Sequence, residues 1–240
     1  MPLKSQTRLK PVSGFFYRQD SLLPLARKRA IFNTMRQHTP TTGLATLILA
    51  GGTGTRMGGC DKPLLPLGQH PVLSRLITLL RPHCMALALS ANGNAARYAP
   101  WQIPVLPDAN PTYGPLAGVL AGLLWARGCG ATTLLTVPGD TPFIPPTLAT
   151  ALMPAPAVAA SGGRRHHLVA TWPVDCAEAL QKWLENTQDN SQRRVRLFAD
   201  TLGMREVCFG TTPHDPFFNI NTPTDYATAC RWVQNEAPHA

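Results

Sequence analysis

Residues 44–62 read LATLILAGGTGTRMGGCDK, and no other stretch restricts the fold so tightly. Its apolar start, Leu44 to Leu49, has the length and the lack of alternation of a strand buried on both faces. Five glycines then fall within nine positions, at Gly51, Gly52, Gly54, Gly58 and Gly59, with Arg56 inside the loop and Lys62 at its end. Glycine lets a backbone turn sharply and bring its N–H groups against a ligand, because no Cβ intervenes. N–H groups converging on one concavity beside two cations suit an anion such as a phosphate chain. The glycine content alone is equally compatible with an ordinary strand-to-helix turn.

Two common phosphate loops are excluded. The chain contains no Gly-Lys-Ser or Gly-Lys-Thr tripeptide, which a Walker loop requires. The dinucleotide fingerprint G-x-G-x-x-G fails by one residue, since Gly52 and Gly54 are followed by Met57 where the third glycine belongs.

Charge and cysteines narrow the class further. The net charge of +9 suggests nucleic acid until its distribution is considered. Residues 1–40 hold eight of the 22 basic side chains and only Asp20 of the 13 acidic ones. The rest of the chain, with 14 basic and 12 acidic groups, is nearly neutral, which argues against a domain that grips a long polyanion. Six cysteines stand at least 22 positions apart without a C-x-x-C pair, so neither a zinc site nor a disulfide framework is indicated. The apolar stretch Thr141–Gly163 carries five prolines and cannot be a membrane span, and the N-terminus lacks a secretory pattern. These features predict a cytoplasmic protein.

Residues 1–42 are basic and aperiodic and read as a disordered extension; residues 43–240 read as a single domain. Within that domain, helical spacing covers Leu73–Leu80, and Met85–Leu89 reads as a second buried strand. Ile103–Leu106 is a short third strand ending just before Asp108, and a helix opens at Tyr113–Gly118 and runs to about Arg127. Thr133–Val137 leads straight into Pro138-Gly139-Asp140-Thr141-Pro142. Later, Ala157–Ala160 and Leu168–Val174 suggest two antiparallel strands around a basic turn at residues 162–167. Helices are expected at about Cys176–Glu185 and Arg194–Leu202, a strand at Glu206–Phe209, and a last helix with Thr222 as N-cap and Pro223 at its first position. Strands alternating with helices predict an α/β, Rossmann-like fold: a mostly parallel sheet with helices on both faces. Ligands in such sheets sit beyond the carboxyl ends of the strands, where the glycine loop, Ser90, Asp108 and Asp140 all fall.

Asp140 is the first candidate metal ligand, a carboxylate presented at a strand end for Mg²⁺, although the same position suits a helix N-cap. Lys62 and Arg56 are candidate phosphate partners whose types also fit a solvated surface. Asp108 can accept hydrogen bonds from a base or ribose, or serve as a turn residue ahead of Asn110-Pro111.

The wording L-A-G-G-x-x-x-R-M-G, matched by Leu49–Gly52 and Arg56–Gly58 and continued by Asp61, Lys62 and Leu64, resembles the nucleotidylyltransferase signature. Gly58-Gly59 followed by Asp61-Lys62, together with Gly139-Asp140-Thr141-Pro142 and Asn219-x-Asn221-Thr222-Pro223, is most similar to the molybdenum cofactor guanylyltransferases. The resemblance covers about Leu44–Trp232 and implies the nucleotide-diphospho-sugar transferase type of fold. It also implies transfer of GMP from Mg²⁺-GTP to the phosphate of molybdenum-molybdopterin, with pyrophosphate released. On it, Leu49, Ala50, Gly51, Gly52, Lys62, Ser90, Asp108 and Asp140 contact GTP, and Lys62, Arg56 and Asp140 carry the chemistry. Gly59, His166, Arg194, Asn219 and Asn221 face the acceptor, and cofactor-insertion proteins or molybdoenzymes are the partners implied. The chain departs from the family pattern at Ser90, where Asn is usual and Asn92 stands two residues on, and at His167, where Pro is usual. A cytidylyltransferase on the same pterin, a sugar-phosphate nucleotidylyltransferase and a non-catalytic nucleotide-binding subunit are the alternatives. The family's tendency to pair Ala-Gly-Gly with guanine and Ala-Ala-Gly with cytosine favours guanine for Ala50-Gly51-Gly52.

Overall fold

The glycine loop is fed by β1 (Leu44–Leu49), whose first five residues are buried. The computed structural model describes residues 43–51, 61–108, 110–187, 189 and 192–236. After the loop come β2 (Pro66–Leu67) and β3 (His70–Pro71), an antiparallel ribbon turning at Gly68, whose φ of +68° only glycine adopts readily. Then follow α1 (Val72–Leu80), β4 (Ala86–Ser90), β5 (Val105–Leu106), α2 (Pro115–Gly128), β6 (Thr133–Pro138) and the one-turn α3 (Leu148–Ala151). The later part comprises β7 (Ala157–Ser161), β8 (Arg164–Pro173), α4 (Ala177–Asn186), α5 (Val195–Thr201), β9 (Arg205–Cys208) and α6 (Pro223–Glu236).

Seven strands form one sheet in the order β5-β4-β1-β6-β8-β7-β9. β5, β4, β1 and β6 run parallel; β8 runs against both β6 and β7, and β9 lies parallel to β7. The alternation of β1 divides the core. Leu44 and Ile48 face α1, α3 and α6, whereas Ala45 and Leu47 face α2, α4 and α5. Helices therefore cover both faces, as the pattern of strands and helices predicts.

Two expectations shift in detail, and some short elements were not expected. Only Val105 and Leu106 pair in β5, because Pro104 has no N–H to donate; its carbonyl still accepts from Leu89 N at 2.9 Å. The expected basic turn shrinks to Gly162-Gly163, at φ +54° and +75°, and residues 164–167 belong to β8 instead. The ribbon of β2 and β3 and the 3₁₀ segment Ala95–Trp101 are too short to show a periodicity. The last helix begins as expected: Thr222 Oγ1 accepts from Asp225 N at 3.1 Å.

α2 lies close on the sheet because Gly118 and Gly122 present no side chain to it. A Cβ on Gly122 would stand 2.5 Å from Leu47 Cδ2 and 3.0 Å from Leu134 Cδ2, both on fully buried residues. Gly122→Ala is therefore expected to lower stability by about 1–3 kcal/mol, the usual cost of overpacking a filled core. Denaturant unfolding checks this, and an unchanged midpoint would contradict the close approach.

Candidate active site

Because β1, β4, β5 and β6 run in one direction, their carboxyl ends share one edge. Backbone bonds lock that edge together: Ala50 N donates to Ser90 O at 2.8 Å and Gly139 N to Leu49 O at 2.8 Å. Gly139 is required there, since a Cβ would come within 2.8 Å of Pro63 Cγ and 3.2 Å of the Leu49 carbonyl.

On one side of the edge stands Asp108, just past β5. Its Oδ2 accepts from Asn92 Nδ2 at 2.8 Å, its Oδ1 from Ser90 Oγ at 3.3 Å, and its own N–H donates to Asn92 Oδ1 at 3.0 Å. Asn92 thus grips both the backbone and the carboxylate of Asp108. Across from this group lies Gly51, whose missing Cβ would be 3.5 Å from Asp108 Oδ2; Gly118 of α2 would place one 2.7 Å from Ser90 Oγ. The result is a polar wall beside backbone that carries no side chains.

The centre of the edge is ionic. Lys62 opens a 3₁₀ turn after the glycine loop, and its ammonium lies 3.0 Å from Asp140 Oδ2 and 2.6 Å from Asn221 Oδ1. Asn219 Nδ2 donates to Asp140 Oδ1 and to Thr141 Oγ1, each at 2.9 Å, and Ile220 N donates to the Asp140 carbonyl at 2.9 Å. Lys62 is itself placed by its neighbour: Asp61 accepts from the buried Tyr98 hydroxyl at 2.7 Å and pairs with Arg97 at 2.9 Å. Burial and the Asp61 hydrogen bond push the Tyr98 phenol far above its ordinary pKa, so it stays a donor.

Beyond Asp140 opens a cleft of about 200 Å³, lined by Thr141, Arg164, His166, Phe217 and Asn219 among others. Lys62, Asp140, Asn219 and Asn221 are thus brought into one cluster, with His166 in the adjoining cleft. Leu49, Ala50, Gly51, Ser90 and Asp108 gather at the other end. Gly52, Arg56 and Gly59 lie outside the described residues. Arg194 is exposed, as the residue before α5, and does not line the cleft. Its neighbour Arg193 instead stacks its guanidinium 4.8 Å over the Tyr113 ring. Two of the described thiols are held in the unreactive protonated form: burial raises the Cys84 pKa and pushes that of Cys176 up to about 11.

Sequence reasoning missed Arg97 and Tyr98 as the anchors of Asp61, and Ser161 and Asp215 behind the cleft. Nothing in the spacing of those residues announces contacts across so many positions.

A family model described as the MobA-like NTP transferase domain matches residues 46–201. A molybdenum cofactor guanylyltransferase of Acidiphilium cryptum is 50% identical over 187 residues, spanning 78% of this chain and 93% of that one. One from Mesorhizobium japonicum is 44% identical, spanning 80% and 97%. The chain belongs to the molybdenum cofactor guanylyltransferases, within the MobA-like NTP transferases. It is a nucleotidyltransferase. Among solved structures, molybdopterin-guanine dinucleotide biosynthesis protein A from Archaeoglobus fulgidus superposes with a TM-score of 0.62 at 17% identity, over 80% of this chain and 99% of that one. At that identity the match speaks for the nucleotide-diphospho-sugar transferase fold alone. No described helix is long and apolar enough to cross a membrane.

In this MobA-like transferase the Asn221 end of the ionic cluster depends on a capping carboxylate. Asp225 Oδ2 accepts from the backbone N–H of Asn221 at 3.0 Å and of Thr222 at 2.8 Å. Burial opposes its ionisation, yet the bonds from Thr222 and Asn221 and the nearby Lys62 charge outweigh it and hold its pKa below the carboxylate norm. A depressed folded-state pKa contributes stability that is present above the unfolded value, near pH 4, and is lost as pH falls through the folded value. Asp225→Asn should therefore cost about 0.3–1 kcal/mol at neutral pH, as for a charge at a helix N-terminus. The gap from wild type should close below about pH 4. Thermal melts across pH check this; a gap that does not change with pH would refute it.

Proposed function

We propose that the chain transfers GMP from GTP to the terminal phosphate of molybdenum-molybdopterin, forming a guanine dinucleotide cofactor and pyrophosphate. One observation carries the reading: Lys62, Asp140, Asn219 and Asn221 converge at the strand edge between the Asp108 wall and the His166 cleft. An ionic centre flanked by a polar wall on one side and a polar cleft on the other suits the joining of two phosphorylated partners.

A phosphate oxygen of the acceptor attacks the α-phosphorus of GTP, and the bond from that phosphorus to the β-phosphate oxygen breaks. The acceptor is already an anionic nucleophile, so catalysis needs alignment and charge neutralisation instead of a general base. Lys62 supplies a fixed positive charge beside the reacting phosphates. Asn219 orients Asp140 through Oδ1, leaving the carboxylate pinned at the strand end. Asp108, with Ser90 and Asn92 each occupying one of its oxygens, offers its remaining lone pairs to donors on base or ribose.

Mg²⁺ fits this donor set. The ion commonly binds through one or two carboxylates and completes its shell with water and substrate phosphates. Asp140 provides one carboxylate, and the described residues hold no cluster of three His, Cys, Asp or Glu that would favour a fully protein-bound metal. Asp140 would hold the ion with the amide oxygen of Asn221 nearby, and bound Mg²⁺ would neutralise charge on the phosphates. We further infer a cytoplasmic reaction, with the product passed to cofactor-insertion proteins or molybdoenzymes. These inferences rest on the guanylyltransferase resemblance.

The test is pyrophosphate release with molybdenum-molybdopterin, Mg²⁺ and either GTP or CTP. GTP is expected to be the substrate, and a preference for CTP would overturn the base assignment. Asp140→Ala and Lys62→Ala are expected to remain folded and lose at least about 100-fold in kcat, the scale of removing one charge-stabilising group. Near-normal turnover of either variant would sink its assigned role. The domain reading, residues 43–240 as the catalytic unit, predicts turnover within about twofold of the full chain after removal of residues 1–42, since every residue assigned to the proposed chemistry belongs to 43–240. Loss of activity would assign residues 1–42 a part in the reaction.

A further inference from the structure

Behind the cleft lies a chain of three polar side chains, Ser161 and His166 buried and Asp215 half-buried, that the phosphoryl chemistry does not use. The Ser161 hydroxyl, at the end of β7, is 2.8 Å from His166 Nε2 and donates to Asp215 Oδ1 at 2.7 Å. The same Asp215 oxygen accepts from the Phe217 N–H at 2.9 Å, which fixes Asp215 at the start of the segment bearing Asn219 and Asn221.

Hydrogen counting then settles the histidine. A serine hydroxyl has one hydrogen and a carboxylate only accepts, so Ser161 gives its hydrogen to Asp215. The hydrogen between Nε2 and Ser161 must come from His166. In the neutral ring this leaves the lone pair at Nδ1. Burial lowers the His166 pKa, with the Arg164 and His167 charges adding to that effect and Asp215 opposing it, so neutrality is favoured. Phe217 packs against the ring at 4.8 Å between centroids and holds its plane.

Among the described residues Nδ1 has no hydrogen-bond partner, and it is not among the sealed, unpartnered polar atoms. His166 lines the cleft beside Thr141, Arg164 and Asn219. A lone pair on the cleft wall repels phosphate oxygens and welcomes an N–H. A pterin has both a ring N–H and an amino group, whereas its phosphate suits the cationic centre at Lys62.

We propose that Ser161 and Asp215 are positioning residues for the acceptor: they hold His166 as the Nε2–H tautomer, so that Nδ1 accepts a hydrogen bond from an N–H of the acceptor's heterocycle. The identity of that acceptor rests on the guanylyltransferase reading. The tautomer does not.

Two measurements separate the claims. Nitrogen-15 NMR of the full-length wild-type protein, with His166 assigned by comparison with His166→Asn, should show the Nε2–H tautomer. Ser161→Ala should give a mixture of tautomers. A wild-type ring protonated at Nδ1 would overturn the proposal. In steady-state assays Ser161→Ala should raise KM for molybdenum-molybdopterin about tenfold, the scale of one lost hydrogen bond, while kcat and the KM for GTP stay within about twofold. An unchanged acceptor KM would equally overturn it. His166→Asn, which places an amide near the Nδ1 position, should keep a lower acceptor KM than His166→Gln, which places one near Nε2; the reverse order contradicts the proposal. A wild-type protein that makes no guanine dinucleotide would instead refute the functional reading, and the NMR result would still decide the tautomer.

Discussion

The ion pair between Lys62 and Asp140, 3.0 Å apart and 78 residues apart in the chain, is the contact around which the site is arranged. It joins the far end of the glycine loop to the end of β6, and through Asn219 and Asn221 it draws in the segment before α6. Both side chains are about 19% exposed, so the pair is open enough to meet a ligand. In a part-buried pair of this kind desolvation offsets much of the Coulombic attraction, so it adds little stability. Its value lies in placement, because the backbone around it is held by independent bonds: Gly139 to Leu49, Ile220 to Asp140, and Asp61 to Tyr98 and Arg97. The charges are presented by a scaffold that does not rely on their attraction.

The groups on either side of this pair are built on the same plan. Asp108 is gripped by Asn92 at both its backbone and its carboxylate, and His166 is fixed by Ser161 and, through it, by Asp215. Each group that would face a ligand is oriented by a partner whose own polar atoms are satisfied. Such pre-organisation lowers the ordering cost of binding and keeps the ligand-facing atom in one hydrogen-bonding role. The close packing of α2 on the sheet belongs to this plan too, since Gly118 lets Ser90 and Asp108 stand where a Cβ would otherwise intrude.

Much of the sheet was legible from residue pattern. Leu44–Leu49 and Thr133–Val137 are continuous apolar runs, and burial on both faces is the physical reason such runs exist. Thr222 and Pro223 spell a helix start, and the helix begins there. The short elements escaped, because two-residue strands such as Pro66–Leu67 show no period. The reach of the basic turn was misjudged because Arg164 to His167 look like loop residues. Pairing of Ser161 with Arg164 and of Ala160 with Arg165 makes them strand.

The sequence by itself determined the class of backbone and the edge on which polar residues collect, and it offered Lys62, Asp108 and Asp140 as candidates because residue type and strand-end position are local properties; Asn219 and Asn221 came from the resemblance to the family motif. Tertiary structure decided their partners. That Ser90 and Asn92 both serve Asp108, that Tyr98 and Arg97 anchor Asp61, and that Asp215 reaches Ser161 across 54 residues follow from strand order and helix docking. Hydrogen bonds act over about 3 Å. Which side chains come that close is a property of the folded chain, and no spacing along the sequence encodes it directly.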